Sequence, residues 1–385
     1  MNTTAALLTA LEKMLENNDL DLFSRRVLDA VADTRDMAMY RKGIEFTEAI
    51  HRQVPGPEQV KEWGQRLLSD IRQYNIPEVS STGPVLTVSA ITKSYGYGKF
   101  ALGPVSLELR KGQVYGLVGE NGNGKTTLLR ILAKELSCDS GSVAYHFEQA
   151  RARGDYDLRT RIIYIPQRTQ KWHGSLMDNL KFVLASYGTP AAEIEPRMLL
   201  MVARLGLWKY KDLQWSELSS GYKMRFELAR TLLRAPEILL LDEPLANLDV
   251  LSQQVILEDL KNICMSPRNP IALMLSSQQL YEVEKVSDKV IFLKNGQYRD
   301  NGPHTGDPEA NALIVELDTA ASREALQAAL ADLVPEKISF NGGVYILTFK
   351  GTATFSGVLS VLGMSGIEIT YIRNISSSTR RFFMV

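Results

Sequence analysis

Gly119-Glu120-Asn121-Gly122-Asn123-Gly124-Lys125-Thr126-Thr127 is the stretch on which the reading of this chain turns. Before it comes the apolar run from Val114 to Val118, and after it Leu128, Leu129, Ile131 and Leu132 at helical spacing. A strand feeding a glycine turn that opens a helix is the setting in which the spacing G-x-x-x-x-G-K-[ST] acquires physical meaning. Gly119, Gly122 and Gly124 let the backbone curl. The N–H groups of the loop, those of Asn121 and Asn123 included, then point inward at phosphate oxygens, and the helix N-terminus adds about half a positive charge. Lys125 can reach the β- and γ-phosphates of a nucleoside triphosphate, the Thr126 hydroxyl can bind Mg²⁺, and Thr127 continues the cradle. The four fixed positions coincide by chance in a chain this long only on the order of 1% of the time.

The rest of the composition narrows the possibilities. A chain of 385 residues holds two or three domains, and 44 basic residues balance 44 acidic ones, so no charge surplus points to nucleic acid. Two cysteines, Cys138 and Cys264, lack metal-ligand spacing and read as packing residues of a reducing compartment. Met1-Asn2-Thr3-Thr4 has no basic residues ahead of a short apolar run, which argues against a secretory signal. No apolar run approaches the ~20 residues that span a bilayer, so a membrane role requires a partner.

Along the chain, Leu7, Leu8, Leu11, Met14 and Leu15, then Leu22, Phe23, Val27, Leu28 and Val31, predict two helices separated by Asn17-Asn18-Asp19. A third is expected after Pro55-Gly56-Pro57, and residues 76–84 read as a linker. Val85–Val88 and Val105–Leu109 alternate like strands, as do Ser142–His146 and Arg161–Ile165; the charged segment Glu148–Arg159 reads as a solvated loop. From Leu176 to Leu233 the pattern is helical, with breaks at 187–190 and 213–220. Ile238–Leu241 is then a continuous apolar run, as expected of a strand covered on both faces.

That run ends in Asp242-Glu243-Pro244. A P-loop needs an acidic partner for its Mg²⁺, and Asp242 is placed for it; Glu243, on the alternate face, can polarise an attacking water. Gln167 leaves another strand and can complete the metal and water site. Tyr95, shortly before the P-loop, can stack on a base or merely pack a turn. Taken in order, Tyr95, the P-loop, Gln167, Leu218-Ser219-Ser220-Gly221-Tyr222, Leu241-Asp242-Glu243-Pro244 and Leu245-Ala246-Asn247-Leu248-Asp249 resemble the motif set of ATP-binding-cassette (ABC) ATPases, over residues 85 to 300. The resemblance implies an α/β P-loop NTPase cassette with a mixed sheet and a helical subdomain, binding Mg-ATP. It implies an adenine-stacking Tyr95, a Q-loop Gln167 beside Thr126 and Asp242 at the metal, a signature loop at Ser219 to Gly221 and a D-loop Asp249. In this family ATP is sandwiched between the P-loop of one cassette and the signature loop of a second, so a homodimer or a pair with a related chain is expected.

Two departures stand out. Ser220 and Tyr222 occupy the places of the first Gly and the Gln of the usual Leu-Ser-Gly-Gly-Gln. Gln278, in Leu275-Ser276-Ser277-Gln278-Gln279-Leu280, stands where the family has a switch histidine. A carboxamide can donate a hydrogen bond to a γ-phosphate but cannot carry charge. Catalysis is therefore expected to rest on Glu243, Lys125 and Gln278. The tail reads β-α-β-β-α-β, a small ferredoxin-like α+β layer after the turn-rich Asn301-Gly302-Pro303 and Gly306-Asp307-Pro308. Ser377–Phe382 loosely echoes the tail of export-type members. The expected domains are a helical extension and linker over 1–83, the cassette over 84–305 and the ferredoxin-like domain over 306–385. The N-terminal helices, outside the family pattern, either cover a cassette face or dock a partner. The expected function is the ATP-hydrolysing subunit of an ABC transporter, peripheral on the cytosolic face of the membrane beside a separate transmembrane permease, with no nucleic-acid partner. A soluble ABC ATPase working as a mechanical or assembly switch is the alternative.

Overall fold

A computed structural model describes residues 3–79, 83–96, 100–147, 155–300, 312–341, 343–351 and 353–376. Parts of the expected linker (80–82) and charged segment (148–154), the turns over 301–311 and the Ser377–Phe382 echo lie outside them. Backbone contacts divide the chain into two units, 1–298 and 299–385.

The first unit begins with four helices: α1 Thr4–Glu16, α2 Leu20–Thr34, α3 Met37–Gln53 and α4 Pro57–Ile71. The sequence pattern predicts three of them and passes over α3. Its start signal is Asp36, whose carboxylate accepts the Met39 N–H at 2.9 Å. Its buried face, Met39, Tyr40, Ile44 and Phe46, is interrupted by Gly43, which sits close against Val31 and Leu200. Leu11, Phe23, Val27, Leu28, Met39 and Ile71 form the core of this layer together with Leu200 and Ala203, which belong to a later helix of the cassette. The extension therefore covers a cassette face; its core would be incomplete without cassette residues.

Next, β1 Leu86–Tyr95 pairs antiparallel with β2 Phe100–Leu109 and, on its other side, with a strand beyond the P-loop. Both strands run longer than the sequence pattern predicts, because in their outer halves only Ile91 and Leu102 are buried and the apolar alternation is lost. β3 Val114–Val118 leads through the P-loop into α5 Lys125–Leu132, followed by β4 Ser140–Tyr145, the outer partner of β1. α6 Asp155–Arg161 occupies part of the segment read as a loop, and β5 Ile162–Ile165 follows it. Three helices, α7 Leu176–Ser186, α8 Ala191–Arg204 and α9 Ser220–Leu232, make the helical subdomain; α8 carries Leu200 and Ala203. Then come β6 Ile238–Leu241, α10 Val250–Cys264, β7 Ala272–Ser277, α11 Leu280–Glu284, β8 Lys289–Lys294 and β9 Gln297–Asp300.

The main sheet has the order β5-β6-β7-β3-β8-β9. Its inner pairs are parallel, with Leu241 level with both Ile165 and Leu275 and Val118 level with Ser277. Parallel strands of this kind are covered on both faces, which is why β3, β6 and β7 are buried at every position. The C-terminal ends of β5, β6, β7 and β3 therefore share one edge of the sheet, where Gln167, Asp242, Gln278 and Gly119 emerge. Such an edge is where open α/β sheets bind ligands. Within β3, a Cβ added at Gly116 would lie 2.0 Å from Val283 Cγ1 and 2.9 Å from Ser287 Oγ. Gly116→Ala forces α11 off the sheet, and a loss of about 1–3 kcal/mol is expected, read as a lowered denaturation midpoint in urea.

The second unit contains β10 Leu313–Asp318, α12 Arg323–Ala329, β11 Lys337–Asn341, β12 Val344–Phe349, α13 Phe355–Met364 and β13 Tyr371–Asn374. Its antiparallel order β11-β12-β10-β13 is the ferredoxin-like arrangement expected from the element order. The last strand starts at Tyr371 rather than Ile367. Val315, Leu317, Leu347, Phe349, Val358 and Leu362 are its core.

Candidate active site

The P-loop is held in shape by its neighbours. Gly124 takes φ +99° as the cap of α5, a conformation that side chains rarely adopt, and an added Cβ there would meet the Phe100 ring at 2.8 Å. The Asn123 carboxamide oxygen accepts the Asn295 N–H at 3.0 Å, tying the loop to the turn after β8. Lys125 is buried. Its Nζ donates to the carbonyls of Gly119 at 2.6 Å and Glu120 at 3.3 Å, and lies 3.1 Å from Glu243 Oε1. That Glu243 oxygen is buried without a hydrogen bond of good geometry, so the lysine contact is an ion pair rather than a directed bond. Glu243 itself has φ +49°, an uncommon backbone state for a non-glycine residue and of the kind held at working sites.

Asp242 is buried beside it and receives three hydroxyl groups. Thr126 Oγ1 donates to Oδ2 at 2.7 Å, Tyr164 Oη donates to the same oxygen at 3.1 Å, and Ser276 Oγ donates to Oδ1 at 2.7 Å. Ser276 also accepts the Glu243 N–H at 2.9 Å, so one hydroxyl ties the Asp242 carboxylate and the Glu243 backbone to β7. Burial first, then the Asp242 charge, push the Tyr164 phenol up, which keeps its proton in place as a donor. Neither Tyr164 nor Ser276 is singled out by motif. The available signal is a polar residue at the end of an otherwise apolar strand, and for Ser276 that signal is plain in Ala272–Leu275. The Thr126 hydroxyl and the Asp242 carboxylate form an all-oxygen donor pair, which suits a hard divalent cation completed by phosphate and water oxygens.

The remaining expected residues are spread more widely. Gln167 and Gln278 are exposed just beyond β5 and β7, on the same sheet edge as Asp242. Tyr95 is 42% exposed at the end of β1, its ring tilted toward Phe100 at 6.4 Å. Ser219 caps α9 without a side-chain bond of its own, and Gly221 lies in the first turn. The Ser220 hydroxyl donates to the Asn247 carbonyl at 2.9 Å, and Tyr222 Oη donates to Tyr210 Oη at 2.6 Å. The two departures from the usual signature thus make local bonds that brace the loop. Asp249 caps α10, accepting the Ser252 N–H at 2.9 Å and the Ser252 hydroxyl at 2.6 Å, contacts that hold its carboxyl below the usual range. Trp172 is buried, stacked on Trp215 with centroids 4.9 Å apart, while the adjacent His173 is exposed. Among the described residues no helix is long and apolar enough to cross a membrane.

A parallel sheet with a P-loop at its ligand edge, a buried Asp-Glu pair against the loop lysine and threonine, and a helical subdomain opening on a capped signature loop define a nucleoside-triphosphatase cassette. The ABC transporter family model matches residues 102–246. Over 294 residues the chain is 30% identical to a methionine import ATP-binding protein of Caulobacter vibrioides, covering 75% of this chain and 86% of that protein. It is 32% identical over 232 residues to the Nod factor export ATP-binding protein I of Ralstonia nicotianae, covering 59% and 70%. A solved structure, cbiO1 of Clostridium perfringens, described as part of the ABC transporter complex cbiONQ, superposes with a TM-score of 0.51 at 26% identity, covering 56% of this chain and 87% of that one. The chain belongs to the ABC transporter family. It is an ATP-binding, ATP-hydrolysing subunit of such a transporter.

Proposed function

We propose that this chain hydrolyses Mg-ATP at the Lys125–Glu243 and Thr126–Asp242 cluster, in a sandwich with a second cassette, and drives a separate transmembrane permease. The observation that carries the proposal is the buried contact of Lys125 with Glu243 beside the threonine–aspartate bond. Four side chains from α5 and the end of β6 converge beside the loop whose amides would face a triphosphate. The N–H groups of residues 119–127 and the Lys125 ammonium bind the phosphates. Thr126 and Asp242, with Gln167, would hold Mg²⁺, which would supply neutralisation of phosphate charge. Glu243 accepts the proton of a water whose oxygen attacks the γ-phosphorus as the bond to ADP breaks. Tyr95 stacks on the base, and Ser219, the Gly221 N–H and Asp249 face the γ-phosphate of the partner cassette, as a helix N-terminus favours.

Similarity to proteins named for import and for export supports transport without fixing its direction. The extension over 1–83, the cassette over 84–305 and the domain over 306–385 are the proposed division of labour, and docking at the cytosolic membrane face is the proposed location. Calorimetry with ATP, with and without Mg²⁺, tests the site; binding indifferent to Mg²⁺ removes Thr126 and Asp242 from the metal. Affinity purification from native membranes tests the partner, and recovery of no multi-span protein argues against a permease.

Gln278 gives a sharper test. An imidazole there titrates near neutral pH whereas the carboxamide does not. Gln278→His is expected to raise turnover at the low-pH side and introduce a limb between about pH 6 and 7. An unchanged rate and profile across that range places Gln278 outside the reaction.

A further inference from the structure

Within the first unit, a cavity of about 620 Å³ lies where the end of α2 and the start of α3 face α8 and the C-terminal ends of α9 and α10. That size is typical of a small-molecule pocket. Its lining gathers six cationic side chains, Arg35, Lys111, Arg161, Arg197, Arg204 and Arg268, against two carboxylates, Asp33 and Glu237. Four of the six are paired. Lys111 and Arg161 share Glu237 at 2.7 and 2.8 Å, Arg204 meets Asp29 at 2.5 Å and Arg197 meets Glu193 at 2.5 Å.

Arg268 and Arg35 are different. Arg268 donates to the backbone carbonyls of Asp33 and Thr34 at 3.1 and 3.0 Å, and Arg35 to the side-chain oxygen of Asn269, all neutral acceptors. Among the described residues neither forms an ion pair. Partial desolvation of the otherwise exposed Arg35 side chain lowers its pKa, and the positive charges of Arg268 and Arg197 lower it further, so these guanidinium groups oppose one another around the cavity. The Asp33 carboxyl, which accepts the Ser266 hydroxyl at 2.6 Å, is pushed up to about 6 by burial despite Arg204 and Arg268 nearby. Arg35, Arg197 and Arg268 line this cavity together with apolar side chains such as Leu184 and Leu232, and the guanidinium fork is the side-chain group that matches carboxylate and phosphate by paired hydrogen bonds.

We propose that this cavity binds a small anion bearing two or more carboxylate or phosphate groups, held by Arg35 and Arg268, with Arg197 joining them from its solvent-exposed pair with Glu193, a contact of the kind that contributes little. Its position gives the ligand leverage. α9 begins at the signature loop and α10 at Asp249, and the cavity touches the opposite ends of both helices, so a bound anion ties the N-terminal layer to the elements that carry those loops. The proposal stands apart from the ATP reading, because none of its residues belongs to the P-loop edge.

Calorimetry of the full chain with citrate and, separately, with inorganic pyrophosphate tests it, the two probes distinguishing carboxylate from phosphate preference. At least one is expected to bind with a Kd below about 1 mM, weakening as salt rises, as screened charge pairs do. The double substitution Arg35→Gln/Arg197→Gln, at two exposed side chains, should weaken that binding about tenfold or more, the equivalent of one lost charge-assisted bond. Lys125→Ala, which disables the P-loop, should leave it intact. Arg197→Gln alone, on the open rim, should give a partial loss if the double variant folds poorly. Absence of binding by both probes, binding that survives these arginine substitutions, or binding that disappears with Lys125→Ala overturns the proposal.

Discussion

Glu243→Gln lowers steady-state ATP turnover by about 10²- to 10⁴-fold while ATP still binds, the range associated with loss of a general base. The carboxamide has the shape of the carboxylate and can still sit 3.1 Å from Lys125, but it cannot take a proton from water. The φ of +49° and the N–H bond to Ser276 belong to the backbone, so the substitution leaves the framework of the site in place. Phosphate release and ATP calorimetry on the same preparation separate the two effects. Turnover at the level of the unaltered chain would take Glu243 out of the mechanism and leave proton transfer to another group.

The second large effect concerns the seam between the N-terminal layer and the cassette. Arg26, on α2, is buried and bonds Asp259 on α10 at 3.1 Å and Asp29 on its own helix at 3.3 Å. Arg204 of α8 holds the other Asp29 oxygen, and Arg25 stands 3.6 Å from Asp259. Asp259 Oδ2 is already buried without a partner, and burial raises the Asp259 pKa against the pull of Arg26 and Arg25. Arg26→Met strands a second part of that charge, and a loss of about 3–5 kcal/mol is expected, because a buried charge without its partner costs more than the pair contributes. Adding Asp259→Leu should restore much of the loss, as an apolar replacement of the pair avoids burying either ion.

The pH dependence of this effect has a definite sign. A carboxyl whose folded-state pKa is raised binds its proton more tightly in the folded chain, so its contribution is most favourable at low pH and is lost as pH rises from the unfolded value toward the folded one. Removing Arg26 raises the Asp259 pKa further. The stability gap between Arg26→Met and the unaltered chain should therefore be smaller near pH 5 than near pH 7.5, as measured by urea unfolding at both values. A gap that is equal at the two pH values would assign the loss to packing of the arginine stem.

Much of the nucleotide site is legible in the chain because its parts are local. The P-loop carries its own geometry in Gly119 to Thr127, and Asp242-Glu243 follows an apolar strand whose burial is written in Ile238–Leu241. The ferredoxin-like order of the second unit is legible for the same reason, since strand alternation and short helices are local patterns. Where the reading fell short, local pattern was weak. α3 has a glycine inside its buried face, and α6 is a short charged helix. β13 begins four residues later than its apolar residues suggest, because Ile367 and Ile369 pack against the domain core outside the ladder.

The sequence by itself determined the cassette and the lysine, threonine and carboxylates at its ligand edge, because a phosphate cradle depends on backbone conformations that a few adjacent residues dictate. Only the tertiary structure decided that Tyr164 and Ser276 hold Asp242, that Arg26 bridges to Asp259, and that six cationic side chains surround one cavity. Those contacts join residues from tens to more than two hundred positions apart. Their energy depends on burial and on the distance between charges, and neither quantity exists until the helices and strands have packed.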